Sequence, residues 1–283
     1  MILITGAAGK TGRAIISTLV NNGEAVKAFV FKEEYATAIK SLGVREVIIG
    51  NLLNLVDIKN ALQDVDAMYH ICPNMHPEEV VIGQTIIEAL QSSECSRIVY
   101  HSVLHPHTSA MPHHWKKLLV EEALFASGLN YTILQPSAYI QNIFSDLESI
   151  FKDKRYTIPY HPDSPFSFVD LNDVAEAACK VLTTAGHSGA IYELNGPAVL
   201  SVRDVLEMIC VETQTDIKLQ QQSRADWLKQ PAVAGFSDYK KESLCKMFEY
   251  YDQHGFWGNS NVLKWLLGRT PATIREVFLR EGF

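Results

Sequence analysis

The sequence predicts an α/β fold in which a doubly wound parallel sheet is followed by a small, mainly helical C-terminal lobe. Two observations support this prediction. Short apolar segments alternate with segments of helical periodicity six times in the first half of the chain, and this alternation stops after about Pro136. Because neighbouring parallel strands need a helical crossover between them, regular alternation indicates a parallel sheet with helices on both faces.

The apolar segments predict the strands, and the segments of helical periodicity predict the helices between them. Six strands are expected at residues 2–4, 25–31, 46–49, 67–71, 97–100 and 131–134. Helices are expected at residues 12–22, 33–42, 56–62, 80–90 and 115–126. Gly23, Gly43 and Gly128 follow three of these helices and are typical of helix C-termini, where the chain turns into a left-handed conformation.

The chain after Pro136 follows a different pattern. Residues 156–168 contain three prolines and several aromatic residues, which predicts a loop beside a cleft. A helix is predicted at 170–182, a strand at 190–194 and a further helix from Ser201, where Asp204 completes a capping box. The rest of the chain is expected to be mainly helical. We therefore divide the chain into a core, residues 1–135, and a mixed segment, residues 136–283, that completes the sheet and forms the substrate lobe.

The composition narrows the classes of function. The chain of 283 residues is 47% hydrophobic and 20% charged. Its net charge is −7 and its Lys and Arg residues form no cluster, which argues against nucleic-acid binding. No segment approaches the roughly 20 apolar residues of a membrane span. The five cysteines are scattered and read as free thiols in a reducing compartment, so we expect a cytoplasmic protein. A monomer or homodimer acting on a small molecule fits these features.

A glycine-rich segment, residues 5–12 (TGAAGKTG), joins the first strand to the first helix. Gly6 allows a sharp turn, Gly9 allows a pyrophosphate to approach the backbone, and Gly12 allows the helix to pack against the sheet. The N-terminus of the helix then presents free N–H groups and the positive end of its dipole to the phosphates. The order strand, GxxGxxG, helix therefore predicts a Rossmann-type site for a dinucleotide, NAD(H) or NADP(H).

The end of the second strand bears on the choice between the two cofactors. An acidic residue there would bind the ribose 2′-hydroxyl of NAD, but the strand ends in Phe31-Lys32 and the first acid is Glu33. Lys32, helped by Arg13, can instead bind the 2′-phosphate of NADP. We therefore expect NADP, with NAD possible; the alternative, that Lys32 and Arg13 are ordinary surface charges, stays open.

Five segments occur in an order that resembles a known family. They are the glycine segment, residues 49–52 (IGNL), 128–136 (GLNYTILQP), 169–175 (VDLNDVA) and 194–197 (LNGP). Together they resemble the NmrA-like branch of the atypical short-chain dehydrogenase/reductases, of the quinone oxidoreductase and triphenylmethane reductase type. The resemblance extends over nearly the whole chain. It implies an NAD(P)H-dependent reductase, although the family also contains dinucleotide-binding regulators with little turnover.

The sequence departs from the pattern of the wider superfamily at the catalytic set. Ser102 matches the serine position and Lys117 matches the lysine, whose role in relatives is to hold the nicotinamide ribose. The tyrosine position is occupied by His113, so the usual proton donor is missing. Relatives often carry Arg near position 31, where this chain has Phe31. We take Lys117, Ser102 and His113 as the candidate catalytic residues. The alternative, that Ser102 and His113 are ordinary loop residues, stays open.

The motif, the strand ends and the resemblance together predict the residues around the two ligands. The expected cofactor contacts are Gly6, Ala8, Gly9, Lys10, Thr11, Gly12, Arg13, Phe31, Lys32, Asn51, Ile71, Cys72, Pro73, Lys117 and Pro136. The expected substrate contacts are His70, Tyr139, Asn142 and Phe144. For Tyr139 and Phe144 the alternative is a place in the apolar core.

Other chemistries fit the sequence less well. Five histidines fall within residues 101–114, but no carboxylate or cysteine shares that segment, so we expect a polar loop and no metal site. Cys72 has no evident acid-base partner for a redox role. No Gly-x-Ser-x-Gly motif is present, which argues against a serine hydrolase. Two classes remain: a reductase of a quinone or dye, and, as the alternative, an NAD(P)-binding redox-sensing regulatory protein.

Overall fold

The structure is a computed structural model that describes all 283 residues. Its strands are β1 Ile2–Ile4, β2 Val26–Val30, β3 Glu46–Ile49, β4 Ala67–His70, β5 Arg97–His101, β6 Tyr131–Pro136, β7 Arg155–Ile158, β8 Ala190–Leu194 and β9 Lys218–Gln221. Its α-helices are α1 Lys10–Asn21, α2 Ala36–Lys40, α3 Leu55–Ala61, α4 Glu79–Gln91, α5 Pro112–Ala126, α6 Gln141–Phe144, α7 Leu147–Asp153, α8 Leu171–Thr183, α9 Val202–Thr213, α10 Arg224–Trp227, α11 Pro231–Ala234, α12 Asp238–His254, α13 Asn261–Leu267 and α14 Ile274–Arg280.

The main sheet has seven strands in the order β3-β2-β1-β4-β5-β6-β8. All the pairings from β3 to β6 are parallel. The strand order reverses between β1 and β4, and in open sheets of this kind ligands bind at the carboxyl ends of the strands beside such a reversal. The predicted Rossmann-type α/β fold is therefore confirmed.

Burial of apolar side chains explains why these strands lie at the centre. Every residue of β1, β2 and β4 is buried, as expected for strands covered by helices on both faces. On one face, Leu3 and Phe29 belong to a cluster that includes Ile58 of α3 and Ile86 of α4. Each fully buried side chain of this size stabilises the fold by about 1.5–3 kcal/mol.

The predicted helices and strands agree with the structure in kind across the first half, with one weaker segment. The helix expected at 33–42 is a 3₁₀ turn at Glu33–Tyr35 followed by the five residues of α2. Only Ala36 and Ile39 are buried in α2, so few tertiary contacts stabilise a longer helix in this segment.

The second half holds the larger differences. The loop predicted at 156–168 begins with β7, which pairs in parallel with β9 in a separate two-stranded sheet. β9 lies in the region that was expected to be helical, and α6 and α7 were not predicted. Arg155 pairs with Lys218, far along the chain, and such a pairing of four-residue strands leaves no local periodicity to read. The capping box at Ser201 is present as predicted.

The chain forms two compact units. The first comprises Met1–His107, His113–Gln135 and Val174–Tyr192, and the second comprises Thr108–Pro112, Pro136–Asp173 and Glu193–Phe283. The chain leaves the first unit at residue 136, where the sequence was divided, but it returns to that unit for most of α8 and the start of β8. A single division at 135 therefore describes the two units only in outline.

In the second unit, two buried aspartates hold the C-terminal segment. Asp170 is 2% exposed and accepts hydrogen bonds from both Nη atoms of Arg280 in α14, at 2.8 and 2.9 Å, and from Gln141 Nε2 at 2.7 Å. Asp173 accepts from Arg269 Nη2 and from the backbone N–H of Ala272, both at 2.7 Å. These bonds give the 169–175 segment a structural role in this unit.

Replacing Asp170 with alanine is expected to lower the free energy of unfolding by about 2 kcal/mol, because it removes the charged hydrogen bonds that this buried carboxylate accepts from Arg280 and Gln141. Urea unfolding of the purified protein measures this loss. The matched control is Asp163→Ala, which removes the partner of Arg203 in an exposed pair, and we expect little change there. Equal losses of unfolding free energy in the two variants would show that the pair of Asp170 with Arg280 does not stabilise the position of α14.

Candidate functional site

The glycine turn after β1 contains two glycines that the fold itself requires. Gly6 has φ +63°, and a Cβ there would lie 2.8 Å from the Cβ of Ile71 and 2.9 Å from its carbonyl oxygen. A Cβ on Gly12 would lie 2.3 Å from the carbonyl oxygen of Gly6 and 2.8 Å from Ala7 Cα. Neither position has room for a side chain, so these glycines allow the turn and the close packing of α1.

Gly9 differs from the other two glycines. A Cβ there would meet a single atom within 4 Å, the carbonyl oxygen of Gly6 at 3.4 Å, so the fold alone does not exclude a side chain. Gly9 is the N-cap of α1, which has no side-chain cap and no acidic residue in its first turn. The first N–H groups of a helix have no partner within it. This cradle fits a pyrophosphate, because the space that a side chain would fill lies beside donors for its oxygens.

Four of the predicted cofactor contacts, Arg13 on α1 and Phe31, Lys32 and Asn51 after β2 and β3, are in the first unit. Phe31 is 65% exposed. Lys32 is exposed and its Nζ lies 3.5 Å from Glu34, while Arg13 Nε donates to the carbonyl oxygen of Ala8 at 3.0 Å. Asn51 accepts from the backbone N–H of Leu53 at 3.0 Å, so its side-chain oxygen closes a local turn.

Two histidines end the neighbouring central strands. His70 Nδ1 lies 2.8 Å from the Thr5 hydroxyl, and His101 Nδ1 lies 2.6 Å from the Tyr69 hydroxyl. Burial, with the nearby charge of Lys117 as a further cause, lowers the pKa of both histidines to about 3. Both imidazoles are therefore neutral at neutral pH.

Helix α5 carries a polar stripe on its buried face, formed by His113, Lys117 and Glu121 at intervals of four residues. His113 is 6% exposed, packs edge-on against His114 with the ring centroids 4.6 Å apart, and has no hydrogen-bond partner at Nδ1. Burial lowers its pKa to about 3. A neutral His113 can position a ligand, but it is not a strong acid.

Lys117 makes its main contact with a residue that the sequence analysis did not select. Its Nζ lies 2.5 Å from Oε1 of Glu79, the first residue of α4, and Glu79 is 1% exposed. The Tyr100 hydroxyl donates to the same oxygen at 3.1 Å. Burial by itself lowers the pKa of Lys117, but the nearby acidic groups, with Glu79 the first among them, together outweigh it and the pKa is raised. Glu79 stands beside Glu78 at a helix start, and nothing local in the sequence separates it from an exposed acid.

Ser102 and Glu121 lie close to β6. The backbone N–H of Ser102 donates to the carbonyl oxygen of Leu134 at 2.9 Å. Glu121 is 2% exposed and accepts from Gln135 Nε2 at 2.9 and 3.0 Å. Burial raises the pKa of Glu121, and the nearby Ser102 hydroxyl and the hydrogen bonds from Gln135 oppose that rise. Gln135 therefore serves as the partner of a buried carboxylate.

Cys72 follows β4 and is 4% exposed. Burial, and then the charge of Glu79, raises the pKa of this thiol far above its ordinary value, so it is not a thiolate and does not suit a redox nucleophile. Pro73, next to it, is exposed. All five cysteines are free, and no group of three His, Cys, Asp or Glu side chains is placed to hold a metal ion.

The remaining predicted contacts belong to the second unit. Pro136 is buried at the end of β6, Tyr139 is half-buried, and Asn142 is exposed on α6. Phe144 is 4% exposed and packs edge-on against Phe278 and Phe283, with ring centroids 5.7 and 6.1 Å away. This packing fits the alternative given for Phe144, a place in the apolar core, and its contact with a substrate stays a prediction.

None of the helices combines the length and the apolar character that a membrane crossing requires.

The candidate site therefore has two parts, both in the first unit. One is a cradle at α1 that fits a phosphate, and the other is a buried group of polar side chains at the carboxyl ends of β4 and β5.

Comparison with known proteins supplies the family. The chain is 26% identical to quinone oxidoreductase 2 of Escherichia coli K12 over 280 residues, which cover 98% of this chain and 96% of that protein. The fold is similar to that of the E. coli NADPH-dependent quinone oxidoreductase QOR2 complexed with NADPH, with a TM-score of 0.86, 24% identity and 99% of each chain covered. It is also similar to triphenylmethane reductase of Citrobacter sp. complexed with NADP(H), with a TM-score of 0.84, 20% identity and coverage of 98% and 99%.

The reductase class that the resemblance implied, and the NADP cofactor expected from the end of the second strand, are those named for these relatives. The sequence model of the NmrA-like family matches residues 1–275 of the 283. The protein belongs to the NmrA-like family.

Proposed function

We propose that the protein is an NAD(P)H-dependent oxidoreductase that transfers hydride to a small electron-poor acceptor such as a quinone or a dye. The observation that carries this proposal is the cradle at Gly9, where the fold leaves room for a side chain and the sequence supplies none. The quinone oxidoreductase that matches nearly the whole chain supports it.

The buried side chains of the first unit have distinct parts in this proposal. When bound, the nicotinamide supplies the hydride. Lys117 orients the ribose, so that its contribution is positioning. Ser102 and the neutral His113 position the acceptor. A quinone or cationic dye disperses or neutralises the arriving charge, so its reduction needs no strong proton donor, whereas a simple ketone requires one.

The first test measures oxidation of NADPH and NADH against a panel of quinones, dyes, enones and simple ketones. We expect quinones or dyes to be reduced at least about tenfold faster than any ketone, since a missing general acid typically costs 10²–10⁴-fold where one is needed. Lys117→Ala is expected to weaken NADPH binding, and Ser102→Ala and His113→Phe to reduce turnover. Faster reduction of ketones would contradict the mechanism.

The panel also separates the reductase from the alternative function. Tight binding of NADPH with no oxidation by any acceptor would favour a redox-sensing regulatory protein. Unchanged cofactor affinity and turnover in Lys117→Ala would show that the site lies elsewhere. We propose the cytoplasm as the location, which the five free cysteines support, and a monomer or homodimer as the active form.

The preference for NADPH is proposed to depend on Lys32 and Arg13. The exposed pair of Lys32 with Glu34 is weak, so Lys32 can exchange it for a 2′-phosphate. Lys32→Ala is expected to weaken NADPH binding about tenfold, the size of one charged hydrogen bond, and to leave NADH binding nearly unchanged. Fluorescence titration with both cofactors measures this, with Lys40→Ala as the control at another exposed lysine. Equal losses for both cofactors, or a wild type that prefers NADH, would refute the assignment.

A further inference from the structure

Glu79 is a buried carboxylate to which the proposed function so far gives no role of its own. Its Oε1 atom accepts from Lys117 Nζ at 2.5 Å and from the Tyr100 hydroxyl at 3.1 Å. The three groups come from the start of α4, from α5 and from β5 of the first unit. Glu79 is 1% exposed and the side chain of Lys117 is 15% exposed, so the pair is largely removed from water.

Stability alone gives no reason to keep such a pair. Taking two charges out of water costs about as much as their attraction returns, and apolar residues of similar volume often serve equally well. The pair does hold an ammonium group in one position, because Lys117 would otherwise be a flexible side chain. Tyr100 contributes to this geometry, since its hydroxyl anchors the carboxylate and its ring centroid lies 5.7 Å from Lys117 Nζ.

The surroundings of Lys117 make Glu79 its dominant partner. The other acidic groups that act on Lys117 are Cys72 and Glu121, and neither forms a hydrogen bond with it in the structure. The basic groups that its charge reaches are His70, His101, His113 and His114. All four histidines have lowered pKa values and are neutral at neutral pH. Lys117 is therefore the only cation among these side chains, and Glu79 alone is paired with it directly.

We propose that Glu79 is a positioning residue for the cofactor: its carboxylate keeps Lys117 charged and directed at the ribose of bound NADPH. This inference rests on the proposed function, because it assumes that Lys117 contacts the cofactor. Glu79 itself acts through Lys117 and does not touch the reacting atoms.

A double-mutant cycle on NADPH binding tests the proposal. The four proteins are the wild type, Glu79→Gln, Lys117→Met and the variant with both changes, and Glu78→Gln is the control at the neighbouring exposed acid. Glu79→Gln is expected to raise the Kd for NADPH about tenfold, as expected for a misplaced charged contact, and to have no further effect when Lys117 is already methionine. The double variant leaves neither charge unpaired, so its comparison with Lys117→Met still tests the proposal if Glu79→Gln folds poorly: the two are expected to bind NADPH equally.

A second experiment measures the titration of the Lys117 ammonium group by NMR in the absence of cofactor. In the wild type the ¹³Cε signal of Lys117 is expected to titrate at alkaline pH, and Glu79→Gln is expected to move its midpoint down by more than about one pH unit, because the buried ammonium loses its counter-charge. Glu79→Asp, which keeps the charge, should restore most of the shift. The NADPH affinity of Glu79→Gln should then fall over the same pH range.

Two results would overturn the proposal. One is a Glu79→Gln substitution that changes the Kd for NADPH equally in the wild type and in Lys117→Met. The other is a titration midpoint of Lys117 that Glu79→Gln leaves unchanged. A wild type that binds NADPH but reduces no acceptor would overturn the reductase function instead, and the binding cycle would still decide the role of Glu79.

Discussion

Lowering the pH from 7 to 5 is expected to destabilise the protein by several kcal/mol. The cause is the set of four buried histidines, which are each less than 10% exposed: His70, His101, His113 and His114. Burial lowers the pKa of three of them to about 3, and that of His114 well below its ordinary value. In the unfolded chain the same groups titrate near 6.5.

The sign follows from proton uptake. Below about pH 6.5 the unfolded chain binds protons that the folded protein does not, so stability falls as the pH drops towards 3. Each histidine contributes about 2 kcal/mol between pH 7 and 5, and the four together on the order of 5–8 kcal/mol. Glu121 and Asp173, whose pKa values burial raises, act in the opposite direction, but they are two groups against four.

Urea unfolding at pH 7, 6 and 5 measures the effect. The slope of stability against pH should correspond to the uptake of up to four protons on unfolding. His101→Gln, which can still accept a hydrogen bond from Tyr69, should reduce the slope by about one proton, or about 1.4 kcal/mol per pH unit. His254→Gln, at an exposed histidine of α12, is the control. Stability that does not change between pH 7 and 5 would show that the four histidines are not buried as neutral groups.

The second large effect is expected in the glycine turn, where two substitutions should fail in different ways. Gly9→Val is expected to weaken NADPH binding more than about 100-fold, because the side chain occupies the place of the pyrophosphate. Its stability should change little, since the fold leaves space there. Gly12→Val should instead lose about 3 kcal/mol or more, because its side chain meets the backbone at Gly6.

Fluorescence titration with NADPH and urea unfolding of the same samples separate the two outcomes. Gly12→Val that folds normally would show that the close contact of α1 with the turn is not needed. Gly9→Val that titrates like the wild type would place the cofactor elsewhere and remove the main support for the proposed reductase.

Much of this arrangement could be predicted from the sequence, because local signals carry it. The alternation of strands and helices determined the fold class, since the central strands are buried on both faces and read as apolar runs. The segment from Gly6 to Gly12 determined the cradle, because its requirements are those of backbone geometry at fixed spacing. The family resemblance placed Lys117 in the candidate site, but it did not identify the residues that surround Lys117.

The tertiary structure alone decided the electrostatics of the site. The partner of Lys117 is Glu79, on another helix, and no periodicity links positions 38 residues apart. The same holds for Glu121, which pairs with Gln135 across a helix and a strand. The pairing of β7 with β9 was equally hidden. A sequence states which groups can titrate or pair, but desolvation and charge proximity depend on distances that exist only when the chain is folded.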